Sequence, residues 1–140
     1  SILLVKKRTN DKDLIVPKLS NIKDVTQFVD DIQELLTITD TLITDYSGVA
    51  FDFSLLYKPT IFFIYDYNEY IKKCRNMTMD FLKEMPGPFI NTENELLNYL
   101  FSVDKWFNEP KYQAKFKKYI SKYHLYIDGN SSKRLENTLS

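Results

Sequence analysis

Residues 41–59, TLITDYSGVAFDFSLLYKP, decide the fold. Residues 41–44 read as a short buried strand and Asp45-Tyr46-Ser47-Gly48 as a polar turn. A one-faced helix follows, stopped by Lys58-Pro59, because proline disfavours helical geometry in the residue before it. Val49, Phe53 and Leu56 repeat at i, i+4 and i+7 and are expected to face the core. Residues 60–64, TIFFI, form the most strand-like run of the chain. Strand, helix and strand joined by such short links make a βαβ unit, which pairs its strands in parallel. The same stretch suggests chemistry. The first N–H groups of a helix lack internal partners and carry partial positive charge, so a small-residue turn feeding a helix suits an anion. Ser47 is the expected N-cap, and Gly48 adds no side chain to block an approaching phosphate. An ordinary capped helix in an α/β domain would look the same, and these residues alone leave both readings open.

Working outward, residues 2–5 read as a buried parallel strand ended by Lys6-Lys7-Arg8. That cationic cluster suits either a phosphate grip or a solvated turn, the commoner meaning. Residues 14–16 suggest a weaker strand before Pro17, and residues 21–28 fit either a helix or a loop and strand. Residues 30–39 predict a helix capped by Asp30 or Asp31, with Glu34 at capping-box spacing and Ile32, Leu35, Leu36 and Ile38 inside. Alternating elements of this kind predict an open parallel sheet flanked by helices, an α/β fold. Ligands of such sheets bind beyond the carboxyl ends of the strands, which puts residues 6–8, 45–48 and 65–67 on one rim. Later come a short helix over 68–73, an irregular or helical stretch over 77–83, a rigid turn over 84–88 and a short strand at Phe89-Ile90. Thr92 is expected to cap a helix over 93–101, with Glu95 at capping-box distance. A further helix runs from Pro110 to about Tyr123, with Tyr112, Phe116, Tyr119 and Ile120 on one side and lysines on the other. Its basic face suits anionic lipid or, more commonly, solvent. An Asp128-Gly129-Asn130 turn precedes a last helix over 132–139, capped by Asn130 or Ser131.

A chain of 140 residues, 44% hydrophobic and 15% aromatic, is long enough for one domain with its own core. Nineteen basic and nineteen acidic residues cancel, so the overall charge does not point to nucleic acid. The single cysteine, Cys74, excludes an internal disulfide and fits a reducing compartment. There is no apolar run long enough for a membrane span and no signal-peptide pattern. Ser1 leads straight into an apolar run without a starting Met, the look of a cut inside a larger protein.

Catalytic patterns are sparse. One His and one Cys cannot make a zinc site of the usual nitrogen and sulfur ligands, and His124, in SKYHLYIDG, suits a packed or surface role. Neither GxGxxG nor GxxxxGK[ST] occurs. Asp45 and Asp52 lie seven apart across a turn and need not be a catalytic pair. On a regular helix of ~100° per residue, Asp52 falls about 40° around the axis from Gly48, one turn below the anion site. There it can accept hydrogen bonds from sugar or glycerol hydroxyls, orient a cation such as Arg134 or Lys6, or simply be a helix residue with neighbours on its own face.

Three spaced stretches, TDTLITDYSGVAFDFSLLYKPTIFFIYDYNEY, FLKEMPGPFINTENEL and DGNSSKR, together resemble the C-terminal part of CDP-glycerol glycerophosphotransferases. These are the teichoic-acid primases and polymerases and related capsule enzymes. They share a TDYSS turn, a Phe-Asp, a Lys-Pro before an aromatic strand, a PGP turn and a terminal DGNAS-x-R. The resemblance implies a two-domain, GT-B-like enzyme whose C-terminal Rossmann-like domain, here residues 1–140, holds the nucleotide donor. It implies transfer of glycerol phosphate, or a similar polyol phosphate, from a CDP-linked donor to a hydroxyl of a lipid-linked polymer, with release of CMP. The setting implied is cytoplasmic, with peripheral contact at the inner face of the membrane. Ser47 and Gly48 would hold the donor phosphates and Asp52 would touch the donor, with Asp45, Lys7, Arg8 and Arg134 completing the substrate-binding set. No catalytic residue, metal or cofactor is assigned to these residues. Two departures stand out. Gly48 replaces the second Ser of the usual turn, leaving the backbone N–H but one hydroxyl fewer. Lys6-Lys7-Arg8 stands where the family carries Arg/Lys-x-His, and the histidine proposed as general base belongs to an N-terminal half that this sequence lacks. The fragment is therefore expected to be inactive alone, with Lys7 or Arg8 neutralising the diphosphate in the whole protein. The alternative is a non-catalytic nucleotide- or phosphate-binding module.

Overall fold

The computed structural model describes residues 1–7, 11, 13–73 and 79–139. They form two compact units, Ser1–Thr39 and Asp40–Ser140.

In the first unit β1 (Leu3–Val5) pairs in parallel with β2 (Ile22–Asp24), Leu4 opposite Lys23. The ladder is extended at both ends by Leu3 N–H to the Asn21 carbonyl at 2.8 Å and Val25 N–H to the Val5 carbonyl at 2.9 Å. Helix α1 (Ile32–Ile38) starts where the Asp31 carboxylate accepts from the Gln33 N–H at 2.8 Å. Leu35 and Leu36 are buried, but Ile38 is exposed. The expected strand at residues 14–16 is irregular chain; the segment 21–28 supplies the strand instead. Its Ile22, Val25 and Phe28 have helical spacing, yet Ile22 lies on the strand and Val25 and Phe28 lie beyond it. Three paired residues are too few for an alternating pattern to show.

In the second unit three parallel strands run in the order β3-β4-β5: β3 (Leu42–Thr44), β4 (Thr60–Phe63) and β5 (Phe89–Ile90). Leu42 faces Thr60 and Phe62 faces Phe89, so the βαβ reading holds, with α2 (Val49–Ser54) as the crossover. Central β4 is buried on both faces, and its side-chain alternation divides the core in two. Phe62 and Ile64 join Ala50, Phe81, Met85, Phe116, Tyr119 and Ile120. Ile61 joins Ile90 and Trp106, with Phe63 packed alongside.

Around the sheet lie α3 (Tyr67–Lys73), α4 (Phe81–Glu84), α5 (Glu93–Phe101), α6 (Val103–Phe107), α7 (Pro110–Tyr123) and α8 (Ser131–Leu139). Helix α5 carries the expected capping box, Thr92 and Glu95 each accepting from the other's backbone. Phe116, Tyr119 and Ile120 bury the expected side of α7, and Tyr112 is half-buried. Helix α6 was not expected. Ser102 breaks the preceding helix, and the Trp106 indole N–H donates back to the Tyr99 carbonyl at 2.9 Å. The expected stretch 77–83 begins at residues outside the described set; its described part holds α4, capped by Asp80.

Helix α2 is shorter than its sequence pattern suggests. Ala50, Phe53 and Ser54 are its buried residues, whereas Leu56 is 38% exposed. The chain leaves the helix through three short bonds at residues 55–57, and Tyr57 closes it with φ 54°. The i→i−3 bonds wind the chain more tightly than an α-helix, which turns Leu56 off the face that an i+7 position of a longer helix would occupy. Gly87 explains the PGP turn. A Cβ built there would lie 2.6 Å from the Thr60 carbonyl oxygen and 2.5 Å from the Phe62 ring, so the turn lies directly on β4 only because residue 87 lacks a side chain.

Candidate functional site

The turn at residues 45–48 leaves the carboxyl end of β3. The Asp45 carboxylate accepts from the Ser47 N–H at 3.0 Å, closing the turn on itself. Gly48 already has helical geometry, φ −60° and ψ −17°, and occupies the N-cap position expected for Ser47. Ser47 Oγ stands 3.5 Å from the Val49 N–H, at the limit of a hydrogen bond, because the cap has moved one residue on. Gly48 is exposed, and a Cβ added there would meet nothing within 4 Å. A ligand can therefore come right up to the backbone at this point. Asp52 lies in the first turn of α2 and is exposed.

Tyr46, between these groups, packs against the core cluster that contains Phe62 and Phe81. Its hydroxyl donates to Asp66 Oδ1 at 3.0 Å, and its ring stacks on Tyr70 at 3.8 Å between centroids and 15° between planes. Burial, with the neighbouring Asp66 carboxylate second, pushes the Tyr46 hydroxyl well above the usual phenol range, so it stays protonated and donating. On the other side of α2, His124 Nε2 lies 3.0 Å from Ser54 Oγ, tying the end of α7 to the crossover helix.

The cationic candidates have partners of their own. The Lys7 ammonium pairs with Asp24 Oδ2 at 3.0 Å and donates to the Leu14 carbonyl, while its backbone N–H donates to Thr26 Oγ1. Hydrogen bonds from the Thr26 hydroxyl and backbone N–H, then from Lys7, hold the Asp24 carboxyl down at about 2. Lys7, Asp24, Thr26, Gln27 and Phe28 line an open cleft of about 280 Å³. Lys6 donates to the Val29 carbonyl. Arg8 lies outside the described residues. Arg134 grips both Asp128 oxygens at 3.0 Å, donates to Ser131 Oγ, and covers the Tyr126 ring at 4.0 Å. It thus fastens the turn before α8.

Asp45, Ser47, Gly48 and Asp52 are therefore brought together at one end of α2, while Lys7 belongs to the first unit and Arg134 to the start of α8. The sequence reading missed the Tyr46–Asp66–Tyr70 contact. Its one signal was the placement of residues 65–67 on the same strand ends as the turn. Among the described residues no group of three His, Cys, Asp or Glu is arranged to hold a metal ion, and no helix is long and apolar enough to cross a membrane.

The family model for CDP-Glycerol:Poly(glycerophosphate) glycerophosphotransferase matches residues 4–140. The chain belongs to this family. Within the glycerophosphotransferases it is 37% identical over 118 residues to a teichoic acid glycerol-phosphate transferase of Staphylococcus aureus (strain NCTC 8325 / PS 47), covering 84% of this chain and 30% of the relative. It is 39% identical over 108 residues to a teichoic acid poly(ribitol-phosphate) polymerase of Bacillus spizizenii (strain ATCC 23059 / NRRL B-14472 / W23), covering 75% and 16%. The chain thus spans about a third or less of the length of these curated relatives. The wall teichoic acid polymerase TagF superimposes with a TM-score of 0.82 at 29% identity, over 98% of this chain and 33% of that one. A variant of TagF soaked with CDPG matches with a TM-score of 0.80, again at 29% identity and over 98% of this chain, 34% of that one. The parallel α/β fold inferred from residues 41–64 is therefore the fold of a glycerophosphotransferase.

Proposed function

We propose that this chain is the donor-binding, C-terminal part of a larger two-domain enzyme of GT-B type. The enzyme transfers glycerol phosphate, or a related polyol phosphate, from a CDP-linked donor to a hydroxyl of a lipid-linked teichoic acid polymer. The observation that carries this is the family match along residues 4–140, supported by a TagF variant whose structure was determined after soaking with CDPG. The open backbone at Gly48 suits the donor diphosphate, with Ser47 and Asp45 beside it and Asp52 one turn on, in reach of the polyol. By resemblance to the family, Lys7, Arg8 and Arg134 are proposed as further cationic groups for donor binding. The general base lies in the other domain, so the chain alone binds without turnover. The lysine-rich face of α7 offers peripheral contact with anionic lipid at the cytoplasmic side of the membrane.

The reading is tested in the full-length protein by titration with CDP-glycerol and with CDP-ribitol, and by CMP release in the presence of a lipid-linked acceptor. Saturable binding that weakens in Ser47→Ala, together with CMP release, is expected. No binding overturns the reading, and equal binding by Ser47→Ala overturns the site. Binding without CMP release assigns the non-catalytic alternative, which the lack of the family histidine in Lys6-Lys7-Arg8 favours.

A further inference from the structure

We infer that Tyr46 is the positioning residue of the donor turn: clamped by Asp66 and Tyr70, it fixes the backbone of residues 45–48 without touching the donor. The inference rests on the reading of that turn as the donor site.

Apart from that of the Tyr46 hydroxyl, the hydrogen bonds of the turn are local: the Asp45–Ser47 contact at 3.0 Å, the marginal Ser47–Val49 contact at 3.5 Å, and the backbone bonds from Ala50 N–H to the Ser47 carbonyl at 3.3 Å and from Phe51 N–H to the Gly48 carbonyl at 3.0 Å. They lie between a three-residue strand and a six-residue helix. Binding groups need to stay within about 0.5 Å of their working geometry, which requires support from behind the site. Tyr46 supplies it from twenty residues away in sequence. Its ring lies on the core side, tilted against Phe81 at 5.6 Å, so it is not a group that a donor at Gly48 would meet. The hydroxyl reaches Asp66 and the ring lies almost flat on Tyr70. Asp66 is itself fixed: its carbonyl accepts the N–H groups of Glu69 and Tyr70 at 2.9 Å, opening α3. Tyr67 N–H donates to the Ile64 carbonyl at 3.1 Å, directly after central β4. The brace therefore runs from the donor turn to the most buried strand of the sheet. Stacking limits sliding of the ring, and the hydrogen bond to a carboxylate fixes its depth.

The experiment is calorimetric titration of the full-length protein with CDP-glycerol and, separately, with cytidine, for wild type, Tyr46→Phe, Asp66→Asn and the double variant. Tyr123→Phe serves as control. It takes a hydroxyl from Glu84 in the same unit and keeps the ring that packs edge-on to Phe51 at 5.3 Å, so it tests loss of a tyrosine–carboxylate bond that does not involve residues 45–48. Tyr46→Phe keeps the stack and loses the bond, so its Kd for CDP-glycerol is expected to rise about tenfold, the scale of one hydrogen bond to a charged group. Asp66→Asn should do nearly the same, and the double variant should add little, because both remove one interaction. Cytidine, which carries no phosphate, should bind all four alike, and Tyr123→Phe should bind the donor as wild type does. A Tyr46→Phe Kd equal to that of wild type overturns the inference. So does an equal loss for cytidine and donor, or the same loss in Tyr123→Phe, since those report general loosening. Failure of the wild type to bind CDP-glycerol overturns the reading of the turn as the donor site, and the inference with it.

Discussion

The three glycines of the chain offer a single substitution, glycine to alanine, for which the structure predicts three different results. At Gly87 the new methyl would sit 2.5 and 2.6 Å from two Phe62 ring carbons and 2.6 Å from the Thr60 carbonyl oxygen. Carbon contacts settle near ~3.5–4.0 Å, so about 1 Å of overlap has to be relieved. Phe62 cannot easily move away: it is 1% exposed, with Phe81 edge-on at 5.3 Å and Phe89 tilted at 5.4 Å. Thr60 is backbone of the central strand, and the Phe62 N–H is bound to the Pro88 carbonyl at 2.9 Å, so moving the turn pulls on the pairing of β4 with β5. Overpacking of this kind costs ~1–3 kcal/mol, against which the stiffer unfolded chain returns ~0.4–1. The net loss is about 1–2 kcal/mol, a fall in Tm of about 5–15 °C for a unit of this size. At Gly48 the methyl meets nothing and φ is already −60°, so only the unfolded-chain effect remains, a gain of ~0.4–1 kcal/mol. At Gly129 there is room, but φ is +70°, and alanine costs ~1–2 kcal/mol. Thermal unfolding followed by circular dichroism and by denaturant titration measures all three. A Gly87→Ala protein as stable as wild type, or a Gly48→Ala protein that falls with it, refutes the reasoning.

Other expectations follow from packing and titration. Phe53→Ala, at a residue with 0% exposure, should lose ~3–5 kcal/mol, enough to abolish a cooperative melting transition at moderate temperature. Thr92→Ala removes one half of the α5 capping box and should lower the denaturant midpoint by the equivalent of ~1 kcal/mol without changing the slope. Asp24 titrates at about 2 in the folded chain against 3.8 ordinarily, so the unfolded chain binds its proton first as pH falls. Its stabilising contribution is complete above the ordinary value and disappears as pH drops through about 2. Asp24→Asn should accordingly flatten stability against pH in that window and leave the slope above it unchanged, measured by unfolding at a series of acid pH values.

Much of the fold could be read where the signal was local. Thr92 and Glu95 mark a helix start through their own side chains and were placed correctly, whereas Lys58-Pro59 sets only an outer limit to a helix, and α2 ends before it, at Ser54. Residues 60–64 stood out because a central parallel strand is apolar on both faces. Short elements escaped. The three residues of β2 carry too little pattern to outweigh the competing helical spacing, and the run 14–16 is apolar without being paired. Helix α6 was hidden because nothing in residues 101–104 announces a break as Gly or Pro would. At the candidate site the turn, its small residues and Asp52 were legible from order alone. What braces the turn was not, because Tyr46 and Asp66 meet only after β4 has been laid beside β3. The partner of Lys7 likewise depends on where another segment brings Asp24, while Arg134 meets its local partner Asp128 once the turn before α8 has formed.

The contact between Ser54 and His124 has a consequence that follows from counting protons. Ser54 owns one hydroxyl hydrogen, and its Oγ lies 2.6 Å from the Phe51 carbonyl, which can only accept. The hydrogen goes there, so His124 meets a lone pair, and its Nε2 has to bring the hydrogen for the 3.0 Å contact. That selects the ring tautomer that carries its hydrogen on Nε2. The one histidine of the chain therefore commits that hydrogen to joining the end of α7 to the crossover helix.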